Sequence, residues 1–250
     1  SDQEDERWAP APGNQPPAPM LDSPGGARPL KLPGEPPVVV YTLLAVTILI
    51  FLLQMASESI YRVDLPAAYG MKVNELILRG QLWRLFTPMF LHGSLLHIGF
   101  NMYALYIFGR GLEAHYGHGR FLALYLVSGF AGNVMSFLFS QAPSLGSSTA
   151  IFGLLAAEGV FLYQNREVFG RTAQRALGNI VTIAVINFII GLSPGIDNWG
   201  HLGGLLGGAL FSYSAGPLLK VQGVYPYLSL HDERGAGDTW RALLATGVLF

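Results

Sequence analysis

The chain has 250 residues, 51% of them hydrophobic and 12% charged, with a formal net charge of −1. That composition lies far from an average soluble domain, and the near-neutral balance leaves no electrostatic footprint for a nucleic-acid partner. Cysteine is absent, which excludes a thiol nucleophile, a disulfide framework and a thiolate metal site.

Several apolar runs approach the ~20 residues needed to cross a bilayer, so the sequence reads as an all-α polytopic membrane protein. Residues 1–37 hold Pro10, Pro12, Pro16, Pro17, Pro19, Pro24, Pro29 and Pro33 among glycines and few large apolar side chains. This stretch reads as a disordered, solvated tail, with a proline-rich docking ligand the less favoured reading. No signal peptide is visible, because the first apolar run opens only near Val38.

The first span is expected from Val38 to about Ala56. A long mixed loop follows, roughly Ser57 to Phe90, with Tyr61, Tyr69, Arg79, Trp83, Arg84 and Pro88. Its Trp and Tyr side chains favour the headgroup region, so the loop is expected to lie in the interface. The second span, about Ser94 to Leu112, carries His97 and Asn101, whose i, i+4 spacing puts both on one helix face. On spacing alone the pair either holds an oxyanion or glues helices together, the second reading somewhat favoured.

The third span runs from about Phe121 to Phe139. A turn-like run, Ser140 to Gly146, then feeds Gly146-Ser147-Ser148-Thr149-Ala150-Ile151-Phe152-Gly153. That octamer opens the fourth span, about Ser148 to Tyr163, and puts Ser148 in its first turn. Backbone N–H groups there lack intrahelical partners and can stabilise an anion. A serine at such a point is a candidate nucleophile, although Ser and Thr are also ordinary helix caps.

Arg166, Glu167, Arg171 and Arg175 are expected in a charged loop. The fifth span is about Leu177 to Leu192. On the residue alone, its Asn187 reads as an interhelical hydrogen bond. The short loop Ser193 to Trp199 leads to the sixth span, about Gly200 to Ser214. His201 sits at its start, and an imidazole in a membrane span usually faces protein or water. Glycines 203, 204, 207 and 208 repeat at spacings of four, which lets another helix approach closely. A base on a helix that can nestle against the serine's helix is what a Ser–His pair requires.

Residues 216–250 read as a polar linker to Asp238 and then Trp240 to Phe250. About 11 apolar residues are too few to cross, so this is expected to be the opening half of a seventh span. Arg110 and Arg120 flank the second-to-third loop, and Arg166, Arg171 and Arg175 occupy the fourth-to-fifth. The third-to-fourth and fifth-to-sixth loops have no Lys or Arg. The positive-inside rule then places the N-terminus in the cytoplasm, and His97, Ser148 and His201 all begin spans on the other side. Arg62, Lys72, Arg79 and Arg84 in the first loop run against this, but a long interfacial loop weighs less.

From Val38 to Ala215 the chain resembles the rhomboid intramembrane serine proteases. The motifs occur in order: Trp83-Arg84, His97-x-x-x-Asn101, Gly146-x-Ser148, and His201-x-x-Gly204-x-x-x-Gly208. The resemblance implies a six-helix bundle with Ser148 as nucleophile and His201 as general base. It implies an oxyanion hole of His97, Asn101 and the Ser148 N–H. Phe152 would pack on the histidine, Gly204 and Gly208 would let the sixth span close on the fourth, and Trp83-Arg84 would brace the first loop. Substrates would be single-span transmembrane proteins, the fifth span with Asn187 would serve as a lateral gate, and no cofactor or metal is implied; from the compactness of the chain alone, a bacterial inner membrane is expected.

The family works as a dyad, and Asp197 is expected in the short loop rather than behind the imidazole. One departure is Thr149, where the family usually has Gly; its β-branch adds bulk between the fourth and sixth spans. The competing class is a rhomboid-like pseudoprotease that binds transmembrane clients. Neither internal repeats nor rows of intramembrane charge point to a transporter. Glu158, about 15 Å along the helix from Ser148, is expected in a structural pairing at the far end. Glu113 is expected to cap or pair locally. His92, His115, His118 and His231 form no zinc-site pattern.

Overall fold

A computed structural model describes residues 36–224 and 227–250. The tail expected at the N-terminus falls, up to residue 35, outside the described residues. Helix α1 spans Val38–Tyr61, and Arg62, in the left-handed region at φ 60°, ends it. Its first turn has no cap of its own, because Pro37 offers no side-chain acceptor. The acceptor comes from far along the chain: the Glu113 carboxylate receives the Val39 N–H at 2.7 Å and the Val40 N–H at 2.8 Å. Glu113 also meets His118 Nδ1 at 2.6 Å, so the expected local pairing is present but secondary to the trans cap. A carboxylate suits this place because the start of a helix carries partial positive charge.

The stretch after α1 is more ordered than a loop. It contains α2 (Leu65–Gly70), α3 (Asn74–Leu78) and two 3₁₀ turns, Leu82–Leu85 and Thr87–Phe90. Arg84 is buried and donates to the Met71 carbonyl at 2.7 Å, the Ala68 carbonyl at 2.9 Å and Gln81 Oε1 at 2.7 Å. Trp83 stacks on Tyr69 at 5.2 Å and donates to its carbonyl. Both side chains thus brace this segment by holding backbone carbonyls that its short helices leave free.

Helices α4 (Leu95–Tyr116), α5 (His118–Phe139), α6 (Ser148–Gln164), α8 (Arg171–Ile190) and α9 (Asn198–Ala215) complete the bundle. The short α7 (Arg166–Phe169) precedes α8. Arg171 and Arg175 therefore sit inside a helix, where the sequence suggested a charged loop. Arg is a good helix former, so charge alone is a poor loop signal.

The interior is the α5–α6–α9 trio, and the glycines of α9 explain it. A Cβ at Gly203 would lie 2.6 Å from the Ala131 carbonyl oxygen, and one at Gly207 2.5 Å from Ala131 Cβ, both on α5. A Cβ at Gly204 would overlap the Thr149 carbonyl, and one at Gly208 the Gly153 backbone, both on α6. Two glycine stripes on one helix thus admit two neighbours at backbone contact. Tyr125, Phe121, Phe161 and Phe211 fill the rest of the core.

Among the described residues, three helices are long and apolar enough to cross a membrane by length and composition: α1, α5 and α8. The other three expected spans, α4, α6 and α9, fall short because they are short or diluted by Gly, His and Asn. These three carry His97 and Asn101, Ser148, and His201.

The expected polar linker is instead an antiparallel hairpin, β1 (Leu219–Gln222) with β2 (Ser229–Asp232). Asp232 and Asn165 hold it by accepting the Leu218 and Leu219 N–H groups, and Arg120 meets Asp232 at 2.8 Å. The last helix, α10 (Ala236–Leu249), starts earlier than expected and turns its buried Ala242 and Thr246 inward.

Candidate active site

The segment from Ser140 to Ser147 leaves α5 and delivers the chain to α6. Gly146 turns it at φ 133°, and a Cβ there would lie 2.7 Å from His97 Nε2. Only glycine both adopts that φ without strain and leaves the imidazole room. Ser148 is then the first residue of α6, half-buried, with the free N–H groups of the first turn around it.

His201 lies in the first turn of α9, and its Nε2 is 2.9 Å from Ser148 Oγ. Phe152, one turn after Ser148, stacks on the imidazole with ring centroids 4.3 Å apart and planes 15° from parallel. That face-on contact and the burial of the ring fix its orientation. A hydroxyl at this distance can pass its proton to Nε2 if the ring carries its own proton on Nδ1. His201 Nδ1 has no hydrogen-bond partner among the described residues.

Asp197 does not stand behind the ring. Its Oδ1 caps α9 by accepting the Gly200 N–H at 2.9 Å, and its Oδ2 accepts from Ser136 Oγ. It is the N-cap of the helix that bears His201.

His97 faces Gly146, and the Gly93 N–H approaches its Nδ1 at 3.5 Å. That donor favours the tautomer with the proton on Nε2, the nitrogen turned toward Gly146. Asn101 is buried and gives one amide N–H to the His97 carbonyl at 2.9 Å, which leaves a second. This bond lies within α4, and Asn101 makes no side-chain hydrogen bond to another helix among the described residues.

Thr149 fits where the sequence raised a steric problem. A Cβ on Gly132 would lie 2.6 Å from Thr149 Cβ, and one on Gly200 3.0 Å from Thr149 Cγ2. Glycines on α5 and α9 thus vacate the volume that the β-branch occupies.

His92, which the sequence left unassigned, is fully enclosed. Its Nε2 lies 3.2 Å from Ser147 Oγ, and its ring meets His97 edge-on at 5.0 Å. Gln54 on α1 holds the His92 backbone from both sides. Burial, helped by the neighbouring His97, pushes its pKa down to about 3, so the ring is neutral near pH 7. The five-residue interval to His97 matches no helical period, so no sequence signal marked it.

Two expectations are corrected. Asn187 bonds to the Ile183 carbonyl within its own helix at 2.8 Å, not across to another. The residue of α8 that reaches the site is Phe188, edge-on to Phe152 at 5.1 Å. Glu158 has no hydrogen bond or ion pair among the described residues. His115 stacks on Phe161 and His231 lies on the hairpin. No group of three potential metal ligands occurs among the described residues.

A family model for the rhomboid domain matches residues 79–217, more than half of the 250 residues. The chain belongs to the rhomboid family. It is 42% identical over 173 residues, 69% of its length, to the rhomboid protease GluP of Bacillus subtilis. It is 35% identical over 159 residues to the chloroplastic RHOMBOID-like protein 9 of Arabidopsis thaliana, and 42% over 127 residues to the mitochondrial RHOMBOID-like protein 6 of that plant. These matches cover 63% and 50% of this chain. They span only 34%, 37% and 41% of the relatives themselves. As a rhomboid with apolar helices of spanning length, the chain is an integral membrane protein of all-α architecture.

Proposed function

We propose that this rhomboid is an intramembrane serine endopeptidase, with residues 38–215 as its catalytic domain and Ser148 and His201 as its dyad. The observation that carries the reading is the 2.9 Å approach of Ser148 Oγ to His201 Nε2 under the stacked Phe152 ring. Ser148 Oγ attacks the scissile carbonyl carbon as His201 Nε2 takes the hydroxyl proton. The carbonyl oxygen becomes an oxyanion, received by N–H groups at the start of α6, by His97 Nε2–H and by the second Asn101 N–H. The intermediate collapses, the C–N bond breaks, and His201 passes its proton to the leaving amine. Water, deprotonated by the same imidazole, then splits the acyl-serine ester and restores Ser148.

The substrates are single-span transmembrane proteins. An unwound segment cannot expose unpaired backbone groups to lipid, so it is received inside the bundle. The N-terminus lies in the cytoplasm by the positive-inside rule. The membrane is a bacterial inner membrane, a reading that rests on the compactness of the chain; the relatives include bacterial, chloroplastic and mitochondrial proteins. Thr149, the one departure that favoured a pseudoprotease, has a vacated space to occupy.

Co-expression with single-span reporter proteins tests the reading. Cleavage by the wild type is expected, with its loss in Ser148→Ala and in His201→Ala. Cleavage that survives Ser148→Ala refutes the assignment.

A further inference from the structure

The buried ammonium of Lys72 has no part in the chemistry above. It lies between α2 and α3 and is wholly enclosed. Its Nζ donates to the Ser140 carbonyl at 2.6 Å and the Ala142 carbonyl at 3.1 Å. Its backbone pairs with Ser144 in both directions, at 2.9 and 3.2 Å. Asn74, two residues on, donates to the Phe137 and Ser140 carbonyls at 3.0 and 3.1 Å. Ser140 is the C-cap of α5, where carbonyls lack intrahelical partners and a cation is favoured. Lys72 therefore ends α5 from outside and grips the loop that leads to Ser148.

A second set of contacts continues from that loop to the helix of His201. Ser144 Oγ lies 3.4 Å from Ser136 Oγ, and Ser136 Oγ donates to Asp197 Oδ2. Each hydroxyl has one proton, so the order is fixed: Ser144 donates to Ser136, and Ser136 to the carboxylate. Asp197 Oδ1 in turn holds the Gly200 N–H, and the His201 N–H bonds to the Asp197 carbonyl at 3.0 Å. A cavity of about 100 Å³, lined in part by Ser140, Ser144 and Asp197, lies between this loop and residues 195–197. Side chains, not close backbone packing, bridge the two loops there.

We propose that Lys72 and Asp197 are positioning residues at the two ends of one clasp, which runs from the Lys72 ammonium through the 140–144 loop it grips and Ser136 to Asp197, and which sets the separation of Ser148 from His201. The proposal rests on the dyad reading above. The clasp touches no reacting atom: it fixes where the serine loop enters α6 and where α9 begins. A misplacement of about 1 Å suffices to cost on the order of 100-fold in rate, so an anchor one loop away has leverage.

The test uses the full chain in detergent and the second-order rate constant for modification by a fluorophosphonate, with thermal unfolding followed in parallel. Lys72→Met and Asp197→Ala are each expected to slow modification of the folded protein about tenfold or more. The double variant is expected to be no slower than the slower single one, because both cuts open the same clasp. Asp197→Asn, whose Oδ1 can accept from Gly200 while its Nδ2 donates to Ser136 Oγ, keeps both links and is expected to restore most of the rate. Merely structural residues would lower the unfolding temperature and leave the rate of the folded protein unchanged. Folded Lys72→Met or Asp197→Ala within twofold of wild type, or a double variant whose loss is the product of the singles, overturns the clasp. Where Asp197→Ala does not fold, Ser136→Ala makes the same cut and leaves the helix cap intact.

Amide hydrogen exchange gives a readout independent of activity. Lys72→Met is expected to speed exchange at Gly200 and His201, remote in sequence, and unchanged exchange there also overturns the clasp. A wild type that resists the fluorophosphonate, with accelerated exchange in Lys72→Met, would refute the dyad and leave the clasp standing.

Discussion

Replacing Gly204 with alanine adds one methyl group where α9 meets α6 backbone to backbone. The new Cβ would overlap the Thr149 carbonyl oxygen, with the Thr149 carbonyl carbon and Cα close behind. None of these atoms can rotate away, so the helices must part by on the order of 1 Å, at the ~1–3 kcal/mol typical of an overpacked core. Thr149 follows Ser148 directly, and Gly204 lies within a turn of His201, so the same movement stretches the 2.9 Å Ser148–His201 approach. A displacement of that size implies a loss of about 100-fold in rate. Gly111→Ala on α4 is the control, because a Cβ there meets nothing within 4 Å and alanine favours the helix by up to ~1 kcal/mol. Fluorophosphonate modification rates and unfolding in detergent, measured on both variants, make the comparison. Gly204→Ala reacting at the wild-type rate would refute the claim that close approach of α6 and α9 sets the dyad.

Glu113→Gln removes the anionic cap at the start of α1 and is expected to lower stability by about 0.5–2 kcal/mol. The modification rate of the folded variant is expected to stay near wild type, since α1 carries none of the proposed dyad or oxyanion groups; unfolding curves and labelling rates check both. His92 makes stability depend on pH. The folded ring titrates near 3 and an ordinary one near 6.5, so the unfolded chain takes up the proton first. Its contribution is whole above pH 6.5 and is lost toward pH 3, by about 1.4 kcal/mol per pH unit at most. His92→Gln is expected to flatten that part of the stability curve, and an unchanged slope in acid unfolding would refute it.

What could be read from the chain alone was what repeats or sits next to its function. Apolar runs located the helices, three of them long and apolar enough to cross a membrane among the described residues, and the four-residue glycine rhythm of 203–208 foretold the close packing of α9, though not that it serves two neighbours. The octamer at 146–153 marked where Ser148 begins a helix because the turn and the helix start are local. Hidden features were those made by pairing distant residues. Glu113 caps a helix 74 residues earlier, Lys72 ends one 68 residues later, and His92 meets Ser147 across 55; no periodicity encodes such contacts. Asn187 misled for the opposite reason: an amide in an apolar helix invites a partner on another helix, yet its own i−4 carbonyl was available. The β-hairpin was overlooked because a polar stretch of strands 4 residues long carries little alternation.

The central claim is that Ser148 is activated by His201, and the most direct measurement locates a covalent fluorophosphonate adduct by mass spectrometry of the intact protein and its peptides. One adduct on Ser148 in the wild type, absent from His201→Ala, is the expected result. An adduct on Ser147 or any other residue, or labelling that persists without His201, would contradict the account.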